Sequence, residues 1–200
     1  MSIDLVCWDF GDTLVDETFM RIAPEGVPQW TAIYSEILAE REGWKTEWDL
    51  GRATIHELIE PLSDRLPMTP AAVSRHLRTV WRQIDWFPIA QHWVVRLDGV
   101  VGQAVVTVNP FEFSGMSTAC GLDPLVDVIV TSADLATLSK VPMAERARSL
   151  LGLAPGLSTT LLVDNKAPNV DEFVAAGGQA YLFTESGFTR DAPDLFGSLF

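Results

Sequence analysis

Asp9 and Asp12 flank Gly11 in the stretch LVCWDFGDTLVD, directly after a short apolar run. A carboxylate in such a place can serve as a nucleophile, as an acid or base, or as an oxygen ligand for a hard cation. Other chemistry-bearing residues stand where later apolar runs end. Thr107 closes VVT, Thr131 and Ser132 close VDVIVTS, and Asp164 with Asn165 closes LLVDN. Lys140 follows the third run in LSKVP. If the runs are strands of one parallel sheet, these groups meet at its carboxyl edge, where open α/β sheets bind ligands.

The elements needed to position them are legible. GQAVVTVNP, VDVIVTS, STTLLVDN and GQAYLFT read as strands, with helical stretches at PMAERARSLLGL and NVDEFVAAGG between the later ones. Strands alternating with helices argue for an α/β fold with a parallel sheet. Between the first strand and the second, PQWTAIYSEILAEREG, DLGRATIHELIEPLSDRL and TPAAVSRHLRTVWRQI space apolar residues at helical intervals. A structureless loop of that length would be unusual, so the segment is expected to be a small helical domain. The expected division is residues 1–15 and 95–200 for the sheet domain and 16–94 for the insertion, hinged near Asp16 to Pro24 and Trp86 to Leu97. Six of the seven tryptophans lie between the first strand and Leu97 and read as the insertion's core. The apolar tail, with Phe188, Leu195, Phe196, Leu199 and Phe200, reads as a terminal helix docked on the sheet domain or as a dimer contact, leaving monomer and homodimer both open.

Composition narrows the partners. The 200 residues are 48% hydrophobic and carry a formal net charge of -13, which disfavours nucleic acid and anionic membrane surfaces. A small anionic substrate remains compatible if a metal ion or a well-placed lysine supplies local positive charge. No apolar window is long enough to span a membrane and the N-terminus lacks a secretory pattern, so the cytoplasm is the expected location. Cys7 and Cys120 lack CxxC spacing, which argues against a disulfide framework or a zinc site. No GxGxxG follows the first strand, no GxxxxGK[ST] occurs, and His56, His76 and His92 lack HExxH spacing.

The order of strand-Asp, helical insertion, strand-Thr, lysine and strand-Asp resembles the haloacid dehalogenase-like hydrolase superfamily over nearly the whole chain. DFGDT stands at the family's DxDGT motif, Thr107 at its second motif, Lys140 at its third, and VDNKAPN at its acidic fourth. The resemblance implies a Rossmann-like parallel sheet with a helical cap inserted after the first motif, and the cap is where substrate choice would reside. It implies a Mg2+-dependent phosphatase of small phosphorylated metabolites. Asp9 would be the nucleophile, Thr107 and the Val108 amide would bind the phosphoryl oxygens, and Lys140 would neutralise Asp9 and phosphoryl together. The metal would be held by Asp9, the Gly11 carbonyl, Asp164 and Asn165. Only three lysines occur, against eleven arginines, so one falling at the third motif carries weight.

Two positions depart from the family pattern. Gly11 stands where the family has the Asp that protonates the leaving group and activates water, with Asp12 one position on as either a replacement or a turn residue. Asn165 stands where a carboxylate usually reaches the metal. These departures leave two alternatives to a phosphatase: a metal-independent dehalogenase-type hydrolase, whose leaving halide needs no proton, and a catalytically degraded binding protein.

Overall fold

The computed structural model describes residues 2–200. Strands β1 (Leu5–Trp8), β2 (Gly102–Thr107), β3 (Val128–Thr131), β4 (Thr160–Asp164) and β5 (Gln179–Leu182) form one sheet in the order β3-β2-β1-β4-β5, every pairing parallel. The earliest strand therefore lies in the middle, with Trp8 level with Val105 on one side and Val163 on the other. The Asp9 N–H donates to the Val163 carbonyl at 2.9 Å, so β1 and β4 end together and bring their terminal aspartates to one edge.

A parallel sheet needs cover on both faces, and β1 supplies it by alternation. Leu5 and Cys7 pack with Met143, Ala144 and Ala147 of α8 (Lys140–Leu150) and with Phe173 of α9 (Ala167–Ala175). Val6 and Trp8 face the other way, toward Trp93 of α5 (Pro88–Leu97) and Phe188 and Phe196 of α10 (Glu185–Phe196). The Trp8 indole N–H donates to Gln103 Oε1 at 3.1 Å, and Gln103 donates in turn to the Val94 carbonyl at 2.9 Å, so this buried polar pair is satisfied. The terminal helix docks on the sheet as one of its two sequence readings expected, with Phe188 and Phe196 buried and Phe200 exposed.

The inserted segment contributes α1 (Trp30–Glu40), α2 (Trp44–Asp49), α3 (His56–Arg65) and α4 (Pro70–Val80). Thr69 and Pro70 start α4 as sequence rules require, the Thr69 hydroxyl accepting from the Ala72 N–H. These helices enclose a separate apolar cluster that includes Trp30, Trp44, Trp48, Leu58, Leu62 and Leu77. The six tryptophans read as the insertion's core are thus divided. Trp81 and Trp93 belong to the cluster beneath the sheet and Trp86 packs against it, because α5 is a helix of the sheet's own flank. The expected boundary at residue 94 runs through α5, all four of whose buried residues (Ala90, Trp93, Val94 and Leu97) join the sheet cluster. The chain leaves and re-enters the sheet domain as a pair of adjoining segments: Asp16 N–H donates to Asp85 O at 3.1 Å and Phe87 N–H to Leu14 O at 2.9 Å. Among the described residues, no helix is long and apolar enough to cross a membrane.

Candidate active site

Three motif residues meet as a buried charged cluster. Lys140 is the first residue of α8, whose N-cap is Ser139. Its side chain runs back under the sheet edge, and Nζ donates to Asp9 Oδ1 at 2.5 Å and to the Val106 carbonyl at 2.8 Å. Asp164 Oδ2 lies 3.6 Å from the same nitrogen. One ammonium therefore faces two carboxylates, all with almost no exposed surface.

Asp164 is held from the chain that follows it. Its Oδ1 accepts from the Lys166 N–H at 2.8 Å, and the Asn169 amide donates to both of its oxygens at 2.9 and 3.0 Å. Burial pushes the Asp164 carboxyl up and the charge of Asp9 adds to that, while Lys140 and these hydrogen bonds pull it back part of the way. Next to it, Asn165 Oδ1 is buried and has no hydrogen-bond partner. A polar oxygen left without a partner costs free energy, and Asn165 directly follows Asp164 at the end of β4.

Thr107 ends β2 fully buried, its hydroxyl accepting from the Asn109 amide at 2.7 Å. Thr131 and Ser132 take structural work instead. Thr131 forms a capping box with Asp134 at α7 (Ser132–Leu135), and Ser132 donates to the carbonyls of Asn109 and of Asp49 in the insertion. Two more clasps join the insertion to the sheet domain, for Glu112 accepts from the Trp48 indole and from the Ile55 N–H, each at 3.1 Å.

Asp12 is exposed and has φ +52, a conformation that aspartate tolerates better than most residues. Its carboxylate accepts from the Glu17 N–H at 3.1 Å, so it serves as a turn residue that fixes the start of the 3-10 turn Glu17–Arg21. Glu17, which sequence reasoning passed over, lies directly over Gly11: a Cβ built on Gly11 would fall inside the Glu17 carboxyl group. Although Glu17 keeps open surface as a residue, the atoms packed around its carboxyl push it up, with the charges of Asp12 and Asp9 contributing.

Glu17 also borders a cavity of about 180 Å³ between the insertion and the sheet edge, with Val108 and Asn109 on one side and Arg21, Tyr34 and Lys45 on the other. Lys45 pairs with Asp49 there at 2.7 Å, and burial pushes the Asp49 carboxyl up. A larger hollow of about 310 Å³, beside Arg148 and Leu153, is lined by none of the motif residues at the carboxyl edge.

Among the described residues, no group of three or more His, Cys, Asp or Glu side chains gathers as a metal cluster. A cation at this edge would rest on Asp9, Asp164 and neutral oxygens. The partnerless Asn165 Oδ1 and the all-oxygen donor set fit a magnesium ion, which accepts neutral oxygen ligands and keeps several waters.

No known protein-family profile matches the chain, and no curated protein sequence does. Solved structures do. A HAD family enzyme from Bacteroides thetaiotaomicron has TM-score 0.70 at 11% identity over 98% of this chain and 99% of that one. The same enzyme in complex with magnesium and inorganic phosphate has TM-score 0.63 at 11% identity, covering 92% of this chain and 96% of its own. L-2-haloacid dehalogenase from Xanthobacter autotrophicus, with chloropropionic acid covalently bound, has TM-score 0.62 at 14% identity over 96% of this chain and 83% of that one. The chain has the haloacid dehalogenase-like hydrolase fold.

Proposed function

We propose that the protein is a phosphatase acting on a small phosphorylated metabolite through an aspartyl-phosphate on Asp9. The observation that carries this reading is the ammonium of Lys140, held 2.5 Å from a buried carboxylate at the end of the central strand. Such a pair orients Asp9, and it adds positive charge where a transferring phosphoryl group gathers negative charge.

An oxygen of Asp9 attacks phosphorus in line with the ester oxygen, forming the acyl-phosphate as the P–O ester bond breaks. Water then attacks the same phosphorus, releasing inorganic phosphate and restoring the Asp9 carboxylate. Lys140, the Thr107 hydroxyl and the Val108 amide hold the phosphoryl oxygens during both steps. Asp9, the Gly11 carbonyl, Asp164 and Asn165 would hold Mg2+, whose chemistry when bound is to neutralise phosphoryl charge and orient the group. The cavity, bordered by Arg21 and Lys45 as well as by Glu17 and Asp49, has room for a small ester next to Val108. Attack on carbon with loss of halide would use Asp9 but would leave the buried Asp164 without a purpose, which favours phosphorus over carbon.

The test is hydrolysis of p-nitrophenyl phosphate with magnesium and with chelator, beside the Asp9→Asn variant. Magnesium-dependent turnover that falls by roughly 10⁴ or more in the variant is expected. Halide release from 2-haloacids without phosphatase activity would overturn the reading in favour of the dehalogenase type, and absence of both would overturn it in favour of a binding protein.

A further inference from the structure

Gly11 has no backbone reason to be glycine, since its φ lies outside the left-handed region. What the absent side chain leaves is room, and the Glu17 carboxyl fills the space that a side chain at position 11 would occupy. The neighbouring Asp12 completes the exchange. It takes the left-handed conformation, and its carboxylate, turned onto the Glu17 N–H, anchors the segment that carries Glu17. Asp16 adds a second anchor by accepting from the Thr18 N–H at 2.8 Å. The same Glu17 borders the cavity that reaches Val108 and Asn109 beyond β2.

From this placement we infer that Glu17 is the acid and base of the reaction, supplied from the start of the insertion rather than from position 11. The inference rests on the phosphatase reading and deepens it. In the first half-reaction the protonated Glu17 gives its proton to the ester oxygen as that oxygen leaves phosphorus, so an alcohol departs rather than an alkoxide. In the second, the Glu17 carboxylate takes a proton from the attacking water as the new P–O bond forms and the bond to Asp9 breaks. Inorganic phosphate is released, Asp9 is a carboxylate again and Glu17 is protonated again.

The experiment compares wild type with Glu17→Gln on p-nitrophenyl phosphate, whose aryl oxide leaves without a proton, and on an alkyl phosphate, whose alkoxide does not. Expected is a kcat loss of about 10²–10⁴ on the alkyl ester, together with a stoichiometric burst of p-nitrophenolate followed by slow turnover on the aryl ester, as the aspartyl-phosphate accumulates. The double variant Gly11→Asp with Glu17→Ala restores the carboxylate from the other side and is expected to recover at least tenfold over Glu17→Ala alone. Equal losses on both esters without a burst, unchanged rates in Glu17→Gln, or no recovery in the double variant would overturn the role of Glu17 while leaving the phosphatase standing. A wild type without turnover on either ester would overturn both.

Discussion

Helix α8 carries two buried cations, eight residues and about 12 Å of helix apart, and each reaches one end of the same central strand. Toward the amino edge, Arg148 binds Asp4 through two nitrogens, at 2.6 and 3.0 Å, and also donates to the Ala154 carbonyl and the Thr160 hydroxyl, each at 2.8 Å. Toward the carboxyl edge, Lys140 meets Asp9 and Asp164 with a single ammonium, and Asn165, the residue after Asp164, has a buried oxygen without a partner. The first cluster is balanced in charge and rich in donors matched to acceptors. The second has more negative charge than positive and a polar atom left over. The Arg148 guanidinium holds the Asp4 carboxyl below the usual carboxylate range, whereas burial beside Asp9 pushes Asp164 above it. Fold and helix are shared, so the difference fits the proposed function: the amino edge is finished by folding, and on the phosphatase reading the carboxyl edge is left to be completed by what binds there.

The balanced edge is most vulnerable at Arg148. Replacing it with Met strands Asp4, Thr160 and the Ala154 carbonyl, and is expected to cost about 3 kcal/mol in urea unfolding. The folded fraction should keep its kcat, since nothing at the carboxyl edge touches Arg148. A large change in kcat at unchanged stability would mean that the two edges are coupled through α8.

Asp4→Asn is the smaller version at the same edge. Asp4 is about a third exposed, so after allowance for screening the expected loss is about 1–2 kcal/mol at pH 7, mostly from leaving buried Arg148 without its countercharge. Because the folded Asp4 carboxyl titrates below its ordinary 3.8, its stabilisation is fully present above that value and is lost as pH falls through the lowered one. Unfolding midpoints of wild type and variant should therefore converge as pH falls below that lowered value. A gap that stays constant with pH would assign the loss to packing.

What could be seen in the sequence was whatever depends on strand ends. Asp9, Thr107 and Asp164 were visible because a polar residue closing an apolar run in a parallel sheet falls at the edge where ligands bind, and Lys140 because it stands at the third motif of the family the chain resembles in a sequence with few lysines. Asn169, four residues beyond Asn165 in VDNKAPN, was visible as part of the fourth motif, though its task of holding Asp164 from the first turn of α9 was not. Glu17 was hidden because its contact with Gly11 depends on the path of a loop, and a glycine in sequence looks the same whether it bends a chain or makes room. Trp81 and Trp93 were assigned to the wrong layer because helical spacing gives the face that is buried and not the element it is buried against. The short helices α2, α7 and α6 (Phe113–Ala119) carry too few turns to show a period at all.

Asp164→Asn tests the unbalanced edge, with a smaller effect and the opposite sign. A carboxyl whose folded pKa is raised keeps its proton when the unfolded chain has already lost it. Stability of the metal-free wild type therefore declines as pH rises from 3.8 through the raised value, and above that value the full penalty of the buried charge is present. Asparagine has no such penalty and can still accept from the Lys166 N–H, so the metal-free variant should exceed wild type by about 1 kcal/mol at pH 7. That advantage should shrink toward pH 4, and magnesium, which should stabilise wild type, should stabilise the variant much less. If instead the variant is less stable at pH 7 in chelator, Asp164 is matched to Lys140 as fully as Asp4 is to Arg148, and the carboxyl edge is as finished as the amino edge.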